Sequence, residues 1–267
     1  MEINMRYIKL YATYAKLSLM SKLVYKANAI IGMLAFLFTE ITSLLTLYFI
    51  VSAVPSIDGY SIYHIGLLFG FTNMAIGIDH LFTDRLWMVA YFEVKMGKLD
   101  HMFLRPLPIL FQVIASEVQL EAIGELLVGG AMIILCASNL QIVGGASAIA
   151  LVVLGIICAA MIISSFKILV ASLAFKFKRS GPLLQFIYNF SGFTKYPLTI
   201  YPKAIRVILT FIIPLGLCLF YPYENLFRPI ENPLFIAGAM LMFTVIFATV
   251  CIIVWNKMVK QYESTGS

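Results

Sequence analysis

The sequence has little charge and lacks the motifs that define soluble ATP-binding and hydrolytic proteins. Only 12% of its residues are charged, whereas an ordinary soluble domain carries about 25%. It contains no G-x-x-x-x-G-K-[ST] phosphate loop, so it does not bind ATP by that route. The metalloprotease motif H-E-x-x-H and the nucleophile turn G-x-S-x-G are also absent. We therefore predict no catalytic residues in this chain.

Cysteine and histidine are scarce and scattered. The four cysteines lie inside apolar runs, at spacings that suit neither a metal site nor paired disulfides, so we interpret them as small buried hydrophobic residues. The three histidines are far apart, and we predict no metal site. The residues are Cys136, Cys158, Cys218, Cys251, His64, His80 and His101. The N-terminal region has charges but no compact apolar core, which disfavours a cleavable signal peptide.

Long apolar runs are what the sequence has in abundance. Hydrophobic residues make up 61% of the chain and the mean hydropathy is +0.95, which indicates an integral membrane protein of all-α class. The net charge of +6 therefore reflects loops at a membrane surface rather than nucleic-acid binding. We predict six spans, at about Ala27–Val54, Ile62–Phe82, Ile109–Ala137, Ser147–Ala174, Leu183–Phe193 and Leu234–Trp255.

The distribution of lysine and arginine predicts the orientation of these spans. The turns at Pro55–Ser61 and Asn139–Ala146 contain neither residue, whereas the alternate loops and both ends are basic. Because basic loops stay in the cytoplasm, both termini are predicted to be cytoplasmic in a multi-pass plasma-membrane protein. One membrane domain, residues 1–267, accounts for the whole chain.

Two further segments complete the predicted topology. Residues 1–26 are basic and amphipathic, which is typical of a helix in the lipid headgroup layer, although they could simply flank the first span. The apolar stretch Ala204–Phe220 is interrupted by Pro214 and ended by Pro222. If this stretch enters the membrane and returns on the external side, the basic ends of the other spans lie in the cytoplasm, as the positive-inside rule prefers. The same arrangement leaves four basic residues outside, which counts against it. These are Lys195, Lys203, Arg206 and Arg228.

A charged internal loop, Gly97–Pro108 (GKLDHMFLRPLP), is a candidate docking element for another protein. It combines an apolar helical face with charges and ends in Pro106 and Pro108, which stiffen its junction with the third helix. The alternative is an ordinary cytoplasmic connection held by lipid headgroups. The residues that carry the docking hypothesis are Leu99, Asp100, Met102, Phe103 and Arg105.

Charged residues within the spans are candidates for a second functional site. Glu117, Glu121 and Glu125 recur every four residues, so a continuous third helix would place them on one face. Alternatively, the first two lie near the cytoplasmic surface, satisfied by water or by Arg105. Glu40 and Lys167 are candidates for a buried cross-helix ion pair.

These segments together resemble the permease subunits of type-2 ABC exporters, in the branch where two related six-helix permeases often accompany one separate ATPase. The resemblance is carried by the internal GKLDHMFLRPLP, by YPLTIYP and the following IIPLGLCLFYP at Ile212–Pro222, and by the terminal WNKMVKQYESTGS. With the basic N-terminal helix they span nearly the whole chain.

The resemblance implies roles that spacing alone does not give. Residues 1–26 would be an interfacial helix, residues 86–108 would hold the coupling helix that docks on the ATPase, and residues 203–223 would form external re-entrant helices. Tyr201, Pro202, Pro214 and Tyr221 would belong to that external gate.

The family also implies the partners and the activity. The partners are an ABC ATPase, a second permease that is identical or homologous, and membrane lipids. ATP and Mg²⁺ would bind to the ATPase, and this chain would bind no cofactor. The expected activity is ATP-driven export of an amphipathic or hydrophobic substrate such as a drug, peptide or lipid. The alternative is a proton-coupled secondary transporter that uses the three glutamates of the third helix.

Overall fold

A computed structural model describes residues 2–53 and 58–263 of the protein. Helices make up 80% of it, and the described residues form no strand. The predicted turn at Pro55–Ser61 and the terminal WNKMVKQYESTGS lie partly outside the described residues. Four helices are long and apolar enough to cross a membrane: α2 (Lys26–Ser52), α3 (Ile62–Thr83), α8 (Ala146–Phe177) and α12 (Pro233–Val259).

The N-terminal helix α1 (Glu2–Val24) is separated from α2 by a break at Tyr25. It lies against the segment that leads into the third span, since the Tyr7 ring packs edge-on against Phe111 with centroids 5.1 Å apart. The Ser18 hydroxyl also accepts a hydrogen bond from the backbone N–H of Val118, at 3.1 Å. The basic N-terminal segment is thus held to the body of the protein by side-chain contacts.

Helix α3 lies at the centre of the molecule and packs against α8 and α7 (Ala122–Ala137). Its close approach to α7 depends on Gly70 and Gly129, because a methyl group at Gly70 would lie 3.0 Å from the Gly129 carbonyl oxygen. Small residues at such crossings let membrane helices pack by direct backbone contact. Most of α3 is therefore buried within the chain, whereas α2 and α12 expose broad apolar faces.

The prediction of one continuous third helix over Ile109–Ala137 is wrong. The chain instead forms α6 (Ile109–Ala115), an irregular stretch over 116–121, and then α7. The unwound backbone has partners from other elements, since Gln119 N–H donates to the Leu81 carbonyl at 3.3 Å and Val118 N–H to Ser18. These bonds offset the lost helical ones, as backbone polar groups away from water must be satisfied.

The segment after α8, predicted as a short span over Leu183–Phe193, consists of two helical pieces. Helix α9 (Gly181–Asn189) continues into a 3₁₀ helix at Phe190–Lys195. A bent pair follows: α10 (Lys203–Val207) with a π-helical turn at Ile208–Ile212, then α11 (Leu215–Phe227), with an angle of 101° between the two halves.

The position of this bend confirms the predicted interruption at Pro214, which directly precedes α11. The predicted end at Pro222 is wrong, because α11 continues through that residue to Phe227. Pro222 packs beside Gly155 of α8, where the absence of a side chain on the glycine leaves room for the ring.

Candidate functional site

The internal loop predicted to dock a partner is anchored to the end of the helical bundle. The internal segment after α3 forms α4 (Arg85–Met88), a π-helical turn at Val89–Glu93, and then the short α5 (Asp100–Phe103), which lies within the predicted docking loop Gly97–Pro108. Leu99 and Met102 are buried in one cluster with Trp255 of α12. The Gln112 side-chain amide donates to the carbonyl oxygens of Met102 and Leu107, each at 2.9 Å. These contacts tie the loop to α6 and α12.

The opposite side of the same loop faces outward. Phe103 is 41% exposed and Leu104 86% exposed. Of the apolar residues predicted to dock, Leu99 and Met102 therefore face the protein interior, and Phe103 and its neighbour Leu104 face solvent. The amphipathic pattern identified the loop but did not show which apolar residues its own chain covers.

Residues distant in sequence hold this exposed face in place. The Phe103 ring stacks on Tyr262, with centroids 4.9 Å apart and an interplanar angle of 3°. The Tyr262 hydroxyl donates to an Asp100 carboxylate oxygen at 2.5 Å, and Arg105 donates to the Tyr14 hydroxyl at 3.0 Å. Sequence reasoning missed both tyrosines, because no local pattern links them to a loop so far away along the chain.

Two ionisable groups lie where this loop begins. Burial raises the pKa of the Glu93 carboxyl, and the Arg85 guanidinium, 2.9 Å away, opposes that rise. Burial also raises the pKa of Asp84, which directly follows α3, and the nearby Lys167 ammonium opposes it. Both carboxyls therefore hold a proton more readily than they would in water.

A buried polar cluster lies between α3 and α8 and is centred on Lys167. Its ammonium is 2.6 Å from one Asp79 oxygen and 3.6 Å from Asp84, and its side chain is fully buried. The Ser164 and Thr83 hydroxyls donate to the other Asp79 oxygen at 2.7 and 2.6 Å. The lysine is thus balanced by two carboxylates.

His80 extends this cluster to α7 and α9. Its Nδ1 lies 2.8 Å from a Glu125 oxygen and its Nε2 lies 2.7 Å from the Tyr188 hydroxyl. The Tyr188 ring also lies beneath the Lys167 ammonium, which is 5.5 Å from the ring centroid. Helices α3, α7, α8 and α9 therefore meet at one hydrogen-bonded group, and a movement of any of them changes this contact set.

The predicted Glu40–Lys167 pair is wrong. Glu40 instead accepts a hydrogen bond from the Asn73 side-chain amide at 2.5 Å, while Lys167 pairs with Asp79. Both Glu40 and Lys167 have a partner, as expected of buried ionic groups. The sequence does not show how each helix is rotated about its axis, and this rotation determines which partner is chosen.

The three glutamates of the third span separate into two groups. Glu117 and Glu121 each lie 3.4 Å from the Lys22 ammonium of α1, whereas Glu125 lies against His80 in the buried cluster. Because the helix is broken before Ala122, the three do not share one helical face, and that prediction is wrong. The partner of the first two is Lys22, not Arg105.

The residues predicted to form an external gate surround the bent pair. The Tyr201 hydroxyl donates to the Phe193 carbonyl at 3.0 Å, and Pro202 precedes α10. Pro214 lies at the bend, and Tyr221 lines an apolar groove between α11 and α12. No cluster of three metal-ligating side chains occurs within residues 2–53 and 58–263.

Long apolar helices with charged groups buried between them define a multi-pass helical membrane protein. A family model described as ABC-2 family transporter protein matches residues 36–266. The chain therefore belongs to the ABC-2 transporter family and is the permease subunit of a type-2 ABC transporter, which confirms the resemblance. No curated protein and no solved structure matches it.

Proposed function

We propose that this permease works in an exporter, as one of two permease subunits driven by a separate ATPase that binds the loop containing α5. The observation that carries this proposal is the two-sided construction of the loop. Leu99 and Met102 fix it to the bundle, while Phe103 and Leu104 remain exposed. An exposed apolar pair on an anchored support is suited to a cleft in a partner, and it transmits a push to α6 and α12.

The proposed topology has six crossings and both termini in the cytoplasm. The crossings are α2, α3, the broken α6–α7 segment, α8, the α9 segment and α12, with the bent pair entering and returning on the external side. The contacts of the bent pair support this arrangement. Thr199, before α10, and Glu224, near the end of α11, line the same cavity as Tyr60. Both ends of the pair therefore lie beside a turn that contains no lysine or arginine.

A second contact supports the same side for the bent pair. The backbone N–H groups of Val143 and Gly144, in the other turn without basic residues, both donate to the Leu226 carbonyl, at 3.0 and 2.8 Å. The two turns and the hairpin thus gather at one end of the molecule, opposite the anchored loop. We propose that this end is external and that export runs towards it.

The substrate class proposed is amphipathic or hydrophobic, such as a drug, peptide or lipid. ATP and Mg²⁺ would be held by the partner, and this chain would bind no cofactor. Proton-coupled transport by the three glutamates gains no support, because Glu117 and Glu121 pair with Lys22 of α1, and only Glu125 joins the buried cluster.

The test is ATPase association with a permease that carries both Phe103→Ala and Leu104→Ala. Truncation of apolar anchors costs at least about 2 kcal/mol at interface hot spots, or a roughly 30-fold loss of affinity. We expect pull-down of the ATPase and export to fall together while membrane expression stays normal. Phe38→Ala removes an exposed ring of α2, outside both this loop and the bent pair, and serves as the matched control. Normal pull-down and export by the double variant would remove this loop from the mechanism.

A further inference from the structure

A cavity of about 340 Å³ opens at the end of the molecule where the bent pair meets the start of α3. Its walls include the rings of Tyr60, His64, Tyr223 and Phe227. These rings are mutual neighbours: His64 and Phe227 have centroids 4.9 Å apart, Tyr223 and Phe227 5.2 Å, and Tyr60 and Tyr223 6.2 Å. Four aromatic side chains, from the turn before α3, from α3 and from α11, thus converge on one small space.

Two carboxylates, Asp58 and Glu224, line this cavity, and Arg228 is the one arginine or lysine side chain among the described residues of its wall. The Tyr60 hydroxyl donates to one Glu224 oxygen at 2.6 Å. Arg228 lies 4.0 Å from the other Glu224 oxygen, and its side chain is 86% exposed. A pair that exposed is weak, so a cation entering the cavity can replace Arg228 beside the carboxylate.

One buried polar group in the cavity wall, the Tyr223 hydroxyl, lacks a hydrogen-bond partner among the described residues. The Tyr223 side chain is fully buried. Leaving a buried polar group unpaired costs free energy, so most such groups in proteins have a partner. The hydroxyl is also closed to solvent, so a ligand oxygen would become its partner only if a neighbouring ring turned aside.

We propose that this cavity binds an organic ammonium group of the choline or ethanolamine type. Aromatic faces attract ammonium groups through the ring quadrupole, and aromatic cages are the established way in which proteins hold quaternary ammonium ions. Glu224, whose side chain is 20% exposed, supplies the opposite charge. The ammonium group could belong to a lipid headgroup or to a free molecule. The proposal does not depend on the ATPase or on the direction of transport.

The binding test uses purified protein in nanodiscs of phosphatidylglycerol, which carries no ammonium group. We expect saturable binding of radiolabelled choline, with competition by tetramethylammonium but not by the neutral choline analogue in which carbon replaces nitrogen. Repeating the measurement in phosphatidylcholine nanodiscs identifies the source. Fewer available sites there would indicate a lipid headgroup, and an unchanged number a free ligand. No saturable binding, or equal competition by the neutral analogue, would overturn the proposal.

Four variants separate the contributions of charge and ring. Glu224→Gln keeps an acceptor for Tyr60 but removes the charge, and Phe227→Leu removes one ring; each should weaken choline binding roughly tenfold. Phe235→Leu changes an exposed ring of α12 that does not line the cavity, so it is the matched control and should bind normally. Arg228→Gln removes the competing cation and should tighten binding. If Glu224→Gln has the same size-exclusion elution profile as the wild type, which shows that it is folded, and binds choline equally well, the assignment of this site fails.

Discussion

Lys167 and Asp79 form an ion pair at 2.6 Å, and both side chains are completely excluded from solvent. Removing two charges from water is costly, and their mutual attraction offsets the cost only when the geometry and the surrounding hydrogen bonds are good. Here Ser164 and Thr83 donate to the second Asp79 oxygen. The pair joins the two most central helices, α3 and α8, so its integrity bears on stability more than an exposed pair would.

Replacing one member of this pair should be strongly destabilising. Lys167→Met leaves Asp79 buried and unpaired, which typically costs about 3–5 kcal/mol. The double variant Lys167→Met with Asp79→Asn removes both charges and should recover much of that loss. Thermal unfolding in detergent measures the differences, with Lys176→Met at an exposed position as control. A double variant no more stable than Lys167→Met would contradict this interpretation.

The contact between the bent pair and α8 depends on Gly155. A methyl group there would clash with the carbonyl oxygen of Cys218, a backbone atom that can yield only if α11 moves. We expect Gly155→Ala to cost about 1–3 kcal/mol through overpacking. The unfolding temperature and the export rate of this variant should both be lower than those of the wild type.

Gly238 offers the matched control for this substitution. It lies in α12, with nothing within 4 Å of the position that a methyl group would take. Gly238→Ala should be neutral or slightly stabilising, because alanine favours helix over glycine by about 1 kcal/mol. If both variants lost similar amounts of stability, the close packing of α11 on α8 would not explain the effect of Gly155→Ala.

Glu93 should make stability depend on pH in a defined direction. Burial raises its pKa above the ordinary value of 4.5, so the folded protein binds the proton more tightly than the unfolded chain. Its contribution is fully present below the unfolded pKa and is lost as pH rises through the folded pKa. Wild type should therefore gain stability relative to Glu93→Gln on going from about pH 7 to about pH 5.

Unfolding temperatures of the two proteins across this range give the comparison. The variant Glu231→Gln, at an exposed position, controls for the loss of a surface carboxylate. Parallel pH profiles for wild type and Glu93→Gln would show that Arg85 holds this carboxylate ionised throughout.

The sequence predicted features that depend on local chemistry and missed those set by long-range contacts. Proline predicted the bend at Pro214, and the mixed pattern predicted an amphipathic helical turn where α5 lies. The break over 116–121 contains neither glycine nor proline, and its backbone partners, Ser18 and Leu81, come from elements distant in the chain. The local sequence therefore does not predict this break.

The partner of Lys167 illustrates the same limit within the candidate site. A buried lysine requires an acid, and Glu40, Asp79 and Asp84 all lie on preceding elements. Helices that are apolar all round do not reveal their rotation in the bundle. The choice of Asp79 is therefore a property of packing, which only the structure supplies.

Labelling from the two sides of the membrane tests the proposed topology. Thr199 and Arg228 flank the bent pair and line one cavity. Thr199→Cys and Arg228→Cys should therefore both react with a membrane-impermeant maleimide added to intact cells, whereas Lys178→Cys should react only after permeabilisation. The four native cysteines are buried, so their background labelling should be low.

The pattern of labelling separates a re-entrant pair from a crossing one. If the bent pair crossed the membrane, its two flanks would lie on opposite sides, and only one of the two cysteine variants would react in intact cells. That result would also move Lys257 and Lys260 outside, against the preference of basic residues for the cytoplasm. Reaction of both variants retains six crossings and places the aromatic cavity where a ligand can reach it from outside.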